Sequence, residues 1–288
     1  MSVILSQNNY GKSGVRVLKV TKNSSVHEIK EMNVNVQLEG DFDKVHTEGD
    51  NRKVLPTDTM KNTVYVLAKE HPVKSIEEFG IYLAKYFIEN NKQVSGVKIY
   101  IEEKLWDRIS VTGENNSAAV PHPHSFISRG DEKRICSIIH NKNIVSVSSG
   151  ILGLLVLKTT ESGFEHYIKD KYTTLKETND RVFSTSVKAV WSYANQEVNY
   201  ARVTETVRQI ILDTFAKHHS LSVQQTLYET GKSVLDICTD ISEISASMPN
   251  KHYLLFNLGQ FGIENKNEIF IPTDEPFGLI EAKLKRDK

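Results

Sequence analysis

One order of elements occurs twice along this chain, and it limits the fold more than any single motif does. Residues 15–20 read as a strand and Asn23-Ser24-Ser25 as a turn. Met32, Val34, Val36 and Leu38 then alternate with Asn33, Asn35 and Gln37, the period of two that marks a half-buried antiparallel strand. A helix is predicted from Pro56-Thr57-Asp58 to about Lys69. A second opens at Ser75-Ile76-Glu77-Glu78, a capping box, with Ile76, Phe79, Leu83 and Phe87 at helical spacing. Strands return where Val97, Ile99 and Ile101 alternate with polar neighbours, and over 124–139. The second half repeats the plan. Strands are expected over 154–159 and 181–193, helices on Val203, Val207, Ile210, Ile211 and Thr214 and on Val223, Leu227, Val234 and Cys238, then strands over 244–247, 253–258 and 279–284.

Such segregation argues for an α+β fold in which each half carries an antiparallel sheet with two helices on one face. The expected halves are 1–140 and 141–288, each long enough to bury its own core. The other sheet face is only partly apolar, so the two halves could share a larger sheet or barrel. The halves share order, not residue identity. The apolar stretch 151–157 suits one buried strand, 112–119 a polar surface loop, and 285–288 a solvated tail.

Composition removes several function classes. Lys+Arg and Asp+Glu are 36 each, a net charge of zero, so no overall field holds nucleic acid. No apolar run is long enough to span a membrane as a helix, and the start MSVILSQNNYGK is not a signal peptide. Two cysteines, Cys136 and Cys238, make no disulfide framework and fit a reducing compartment. His122 and His124, two apart, could face one ion, but spacing supplies no third ligand, and loop histidines with polar partners are the simpler reading. There is no HExxH, CxxC, EF-hand loop, P-loop, GxGxxG or GxSxG.

Four segments combine polar chemistry with structural punctuation: Tyr10-Gly11-Lys12, Pro56-Thr57-Asp58, the stretch from Phe164 to Arg181, and Pro249-Asn250-Lys251-His252. Each has a plain structural explanation. Thr57 or Asp58 would cap a helix, Lys12 would be solvated, Arg181 would pair with a carboxylate, and Asn250 would turn the chain after Pro249.

Taken together and in order, however, Tyr10-Gly11-Lys12, residues 56–63 (PTDTMKNT), residues 171–178 (KYTTLKET) with Asp180-Arg181, Ser222-Val223-Gln224 and Pro249-Asn250-Lys251-His252-Tyr253 resemble the signature segments of the urate oxidase (uricase) family. The resemblance runs from Tyr10 to about Ala282. Val26-His27-Glu28-Ile29, residues 46–51 and His219-Ser220-Leu221 resemble its bacterial branch. It implies two tandem tunnelling-fold (T-fold) halves assembling into a barrel-like homotetramer, with active sites between subunits. It implies oxidation of urate by dioxygen and water to 5-hydroxyisourate and hydrogen peroxide, with no metal and no organic cofactor.

The resemblance also assigns roles. Arg181 grips the oxopurine with its planar fork. Gln224 offers a donor and an acceptor, Val223 a backbone contact, and Phe164 a stacking surface. Thr57 and Asp58 reach in from a neighbouring subunit, and Asn250 holds dioxygen or water above the ring. Lys12, Thr57 and His252 form a proton relay. A lysine at its ordinary pKa of about 10.4 is a poor base, and partial burial lowers that value for lysines generally. The end Arg286-Asp287-Lys288 lacks the peroxisomal Ser-Lys-Leu type of address, which favours a cytoplasmic bacterial enzyme. Two other readings compete: a zinc-using pterin or purine enzyme of the same fold, and a purine-binding protein without turnover.

Overall fold

The structure is a computed structural model that describes residues 3–22, 24–112, 118–141, 144–195 and 197–287. It divides into two compact units, Met1–Ser149 and Gly150–Lys288.

In the first unit, β1 (Tyr10–Thr21) and β2 (Glu28–Gly40) pair antiparallel. A short helix α1 (Asp43–Thr47) follows, then α2 (Thr57–Glu70) and α3 (Ile76–Asn90). Strands β3 (Val94–Val111) and β4 (Val120–Asn141) extend the sheet in the order β1-β2-β3-β4. The alternation read in the sequence is real packing: Val34, Val36 and Leu38 have no exposed surface, and neither do Ile99 and Ile101 beside them. α2 lies on β1, and α3 lies on β3 and β4. Ile76, Phe79, Leu83 and Phe87 are fully buried, so the helical stripe faces the sheet. Ser75 caps α3 by accepting from the Glu78 amide at 3.1 Å. Glu77 beside it is buried and accepts from Ser149 Oγ at 2.6 Å.

In the second unit, the strand β5 (Ile144–Lys158), which begins before the boundary, is tied to β6 (Phe183–Tyr193) by Ser184 Oγ donating to Val156 O at 3.0 Å. Helices α4 (Tyr200–Lys217) and α5 (Val223–Ile237) precede β7 (Ile241–Leu255) and β8 (Phe270–Lys285). The ladder runs β6-β7-β8, antiparallel throughout, with α5 on β7 and β8. Trp191, Val207, Ile211, Leu227 and Val234 meet in its core.

Several details differ from the sequence reading. The strands expected over 244–247 and 253–258 are one strand, β7. Pro249 reads as a break because it lacks an N–H, but the ladder absorbs it with a register shift between Asn250 and His252. The 151–157 run is half-buried: Ile151 and Leu154 are in the core, while Leu155 is 62% exposed. The tail residues 285–287 are exposed, as expected, but Arg286 is also anchored. Its guanidinium donates to the carbonyls of Leu235, Cys238 and Ile241, closing the C-terminal end of α5. In the loop expected over 112–119, residues 113–117 lie outside the described residues, as does Lys288 of the tail.

At Gly11 the backbone of β1 lies tightly against that of β2. A Cβ there would lie 1.8 Å from Val36 O. Gly11→Ala should therefore force β1 away from β2 and cost about 2–3 kcal/mol, the upper range for overpacking. Thermal unfolding reads this directly; an unchanged Tm would show that the β1–β2 pair gives way without cost.

Candidate functional site

Three of the candidate residues lie in the first unit, where one tyrosine organises them. The Tyr10 hydroxyl accepts from the Leu55 amide at 2.9 Å and donates to the Leu55 carbonyl at 3.2 Å. Its ring stands edge-on to Phe42, with centroids 4.8 Å apart, and burial pushes its pKa up. The start of β1 is thus fastened to the residue just before Pro56-Thr57. Lys12 follows Gly11, pairs across to Val36, and is the last regular pair before a bulge. Gly14, with φ at +73°, makes the bulge, and its amide donates to Asn35 Oδ1 at 2.7 Å.

Thr57 is the first residue of α2 and is half-buried. Neither Thr57 nor Asp58 caps the helix. The capping position is Pro56, which offers no side-chain acceptor. The Asp58 carboxylate instead accepts from Lys61 at 2.5 Å and Asn62 at 3.1 Å. Its pKa is lowered first by the Lys61 hydrogen bond and charge, and more weakly by Lys12, which places the Lys12 ammonium in the same electrostatic neighbourhood. The hydroxyl of Thr57 is therefore not committed to capping.

The other six lie in the second unit. Residues 161–164 form the spine. Phe164 pairs with Thr178 through amide–carbonyl bonds of 2.7 and 3.2 Å. The Arg181 amide donates to Ser162 O at 2.9 Å. These bonds bring the Arg181 guanidinium to 5.5 Å from the Phe164 ring centroid. The ring in turn stacks on Tyr167, with centroids 4.9 Å apart and planes 13° from parallel. Among the described residues Arg181 does not pair with a carboxylate, the partner that a structural reading expects. Its Nε is buried with no hydrogen-bond partner, and burial lowers its pKa. A buried guanidinium N–H without a partner is costly unless something else supplies an acceptor.

The same spine holds the start of α5. Gly163 N donates to Ser220 O at 2.8 Å, and Ser220 N donates to Glu161 O at 2.9 Å. Ser222 caps α5 by accepting from the Gln225 amide, and Gln225 returns the bond to the Leu221 amide, each at 3.1 Å. That leaves Val223 and Gln224 as the first two residues of the helix, whose amides have no intrahelical acceptor. Val223 is buried and Gln224 exposed.

Asn250 sits on β7 opposite Thr185 of β6 and Gly278 of β8. His252 follows the register shift, opposite Thr273, whose hydroxyl donates to His252 O at 3.4 Å. Ser184 pairs with Lys251, so Asn250 and His252 flank the end of the ladder that Arg181 enters. The structure therefore gathers Phe164, Arg181, Val223 and Gln224, with Asn250 and His252 at the adjoining strand end. Lys12, Thr57 and Asp58 form a separate group in the first unit.

His122 and His124 do meet, with ring centroids 4.5 Å apart. Among the described residues, though, no three His, Cys, Asp or Glu side chains are grouped to hold a metal ion. Clefts of about 400 and 670 Å3 open around Lys19 and Pro72 in the first unit, and no candidate site residue lines them.

Comparison with known proteins decides the family. The uricase family model matches residues 8–139 and 147–281, which include all nine candidate residues. The chain belongs to the uricase family. Uricases are urate oxidases, so it is an enzyme of that class. It is 43% identical to the uricase of Arthrobacter globiformis over 285 residues, covering 99% of this chain and 91% of that one. It is 42% identical to the uricase of Dictyostelium discoideum, covering 98% and 97%. The crystal structure of the Arthrobacter globiformis uricase superposes with a TM-score of 0.93 at 43% identity, covering 100% of this chain and 96% of the other. The antiparallel strands and their helices are therefore those of a uricase. Among the described residues, no helix is long and apolar enough to cross a membrane.

The sequence reading gives no role to one residue that ties the candidate segments together, Ser220. It was noticed only inside a resembling tripeptide. A serine between two histidines and a capping segment gives no sign that both its amide and its carbonyl bind another segment.

Proposed function

We propose that this chain catalyses urate + O2 + H2O → 5-hydroxyisourate + H2O2 without a metal or organic cofactor. The observation that carries this reading is Arg181: a half-buried side chain whose Nε is buried and unpaired among the described residues, with its guanidinium 5.5 Å from an aromatic ring centroid. A flat, anionic oxopurine meets both demands. Its face stacks on Phe164, and its oxygen and ring nitrogen accept from the Arg181 fork. Val223 and Gln224 present first-turn amides and a carboxamide to the opposite edge, where the helix dipole also favours an anion.

Urate is itself an electron-rich reductant once deprotonated, so the protein's work is to orient it, take its proton and keep dioxygen close. Asn250 holds dioxygen or the attacking water. Lys12, Thr57 and His252 relay the proton, with the uncapped Thr57 hydroxyl free to pass it on. Thr57 and Asp58 come from a neighbouring subunit of a homotetramer built from tandem T-fold halves. Exposed apolar residues on the strands, Leu18, Ile127, Leu155 and Leu279 among them, support burial by further copies of the chain. Two free, buried thiols, Cys136 and Cys238, support a reducing, cytoplasmic setting.

The test is an oxygen-coupled assay of metal-stripped protein in the presence of chelator. Urate absorbance should fall in step with the appearance of peroxide. Urate loss only after zinc or another metal is restored would overturn the cofactor-free reading. Stoichiometric urate binding without any loss in air would leave a binding protein.

A further inference from the structure

We infer that Ser220 is a positioning residue that sets the spacing between the two walls of the oxopurine site. The inference rests on the reading that urate lies between Phe164 and Arg181 on one side and Val223 and Gln224 on the other. Ser220 is the point where those walls are joined. Its backbone belongs to the first wall: its amide donates to Glu161 O at 2.9 Å and its carbonyl accepts from Gly163 N at 2.8 Å, on either side of Ser162, whose carbonyl holds the Arg181 amide. Its side chain belongs to the second wall. Ser220 Oγ and Thr226 Oγ1 lie 2.6 Å apart and within 3.1 and 3.2 Å of Ser222 O, so the two hydroxyl protons serve one hydroxyl–hydroxyl bond and one bond to that carbonyl. Ser222 and Thr226 bracket Val223 and Gln224 in the first turn of α5.

Both hydroxyls are fully buried, so water cannot take the place of a lost bond. Ser220 and Ser162 run side by side as a parallel bridge, and neither has exposed surface. On the outer side, His219 Nδ1 lies 2.5 Å from Glu161 Oε2, and Lys158 Nζ donates to His218 O at 2.6 Å. The whole α4–α5 link is thus registered on residues 158–163, and Ser220 is its buried centre. Losing the Ser220–Thr226 bond keeps each wall intact but frees the helix start to shift relative to Arg181. Substrate that must touch both walls feels that shift.

The measurement is urate affinity under argon, where the absence of dioxygen prevents turnover, together with KM and kcat in air. Ser220→Ala and Thr226→Val should each weaken urate binding and raise KM by about tenfold, with kcat changed less than threefold. Thr226→Ser, which keeps the hydroxyl, should bind like the parent. The double variant should be no weaker than the worse single one, because one bond is lost in both.

Thr230 gives the structural control. It is buried one turn further along α5, and its hydroxyl donates to Thr226 O at 2.7 Å rather than to Ser220. Thr230→Val should lower Tm as Thr226→Val does and leave urate affinity unchanged. Unchanged affinity in Ser220→Ala and Thr226→Val, or an equal loss in Thr230→Val, would overturn the positioning role. If the parent binds urate under argon but consumes none in air, the oxidase reading fails while the affinity series still decides the role of Ser220. If the parent binds no urate, both fail.

Discussion

Lys12→Met should leave the fold and assembly intact and lower kcat for urate by about 10²-fold or more, the scale of losing a positioned acid–base group. The side chain keeps its length, and the backbone constraints lie elsewhere, in Gly11 against Val36 and in the Gly14 bulge. KM should move little if, as proposed, the oxopurine is held by Phe164, Arg181, Val223 and Gln224. Lys12→Arg separates two roles for the ammonium. Arginine keeps the positive charge near Asp58 but does not release a proton at any accessible pH. If Lys12 moves protons, Arg is as damaging as Met. If it acts only as a charge, Arg restores most of the rate, and the relay through Thr57 and His252 is the wrong description. The pH dependence of kcat gives a second readout. A limb present in the parent and absent from both variants assigns that ionisation to a relay that needs Lys12.

The parts legible in the sequence were those where a local period or cap matches the final packing. The alternation over Met32–Leu38 became a strand with one buried face, and Ser75 capped α3, because in both the side chains that write the pattern also make the contacts. The pattern failed where the fold spends residues on something else. Pro249 and Asn250 look like turn residues yet sit inside β7, since a register shift lets the strand continue. Thr57 and Asp58 look like caps, but Pro56 occupies the capping position and Asp58 turns to Lys61 and Asn62. Arg286, one of four consecutive charged residues, looks merely solvated, yet while exposed it also serves three carbonyls. The candidate site is proposed from the sequence only through resemblance. Its residues come from five distant segments, and what unites Phe164, Arg181 and Val223 is a set of backbone bonds through Ser162, Gly163 and Ser220 that no side-chain pattern records.

Arg181→Lys should weaken urate binding by roughly 10- to 10²-fold, with a smaller effect on kcat. A hydrogen bond to a charged group contributes about 1.5–3 kcal/mol, and the lysine ammonium cannot reproduce two parallel N–H donors in one plane. Arg181→Met removes the charge as well and should bind more weakly still. Stability separates this role from a structural one. Among the described residues Arg181 Nε is buried without a partner, which costs free energy rather than supplying it. Methionine fills much of the same space next to Phe164 with no donor to satisfy. Its Tm should therefore equal or exceed that of the parent while urate binding is lost, the trade expected where a site is strained for function. A fall in Tm that tracks the loss of binding would mean that the guanidinium's 5.5 Å contact with the Phe164 ring holds the spine together, and that Arg181 is part of the scaffold before it is part of the site. A Tm that holds while affinity collapses would leave the oxopurine as the missing acceptor.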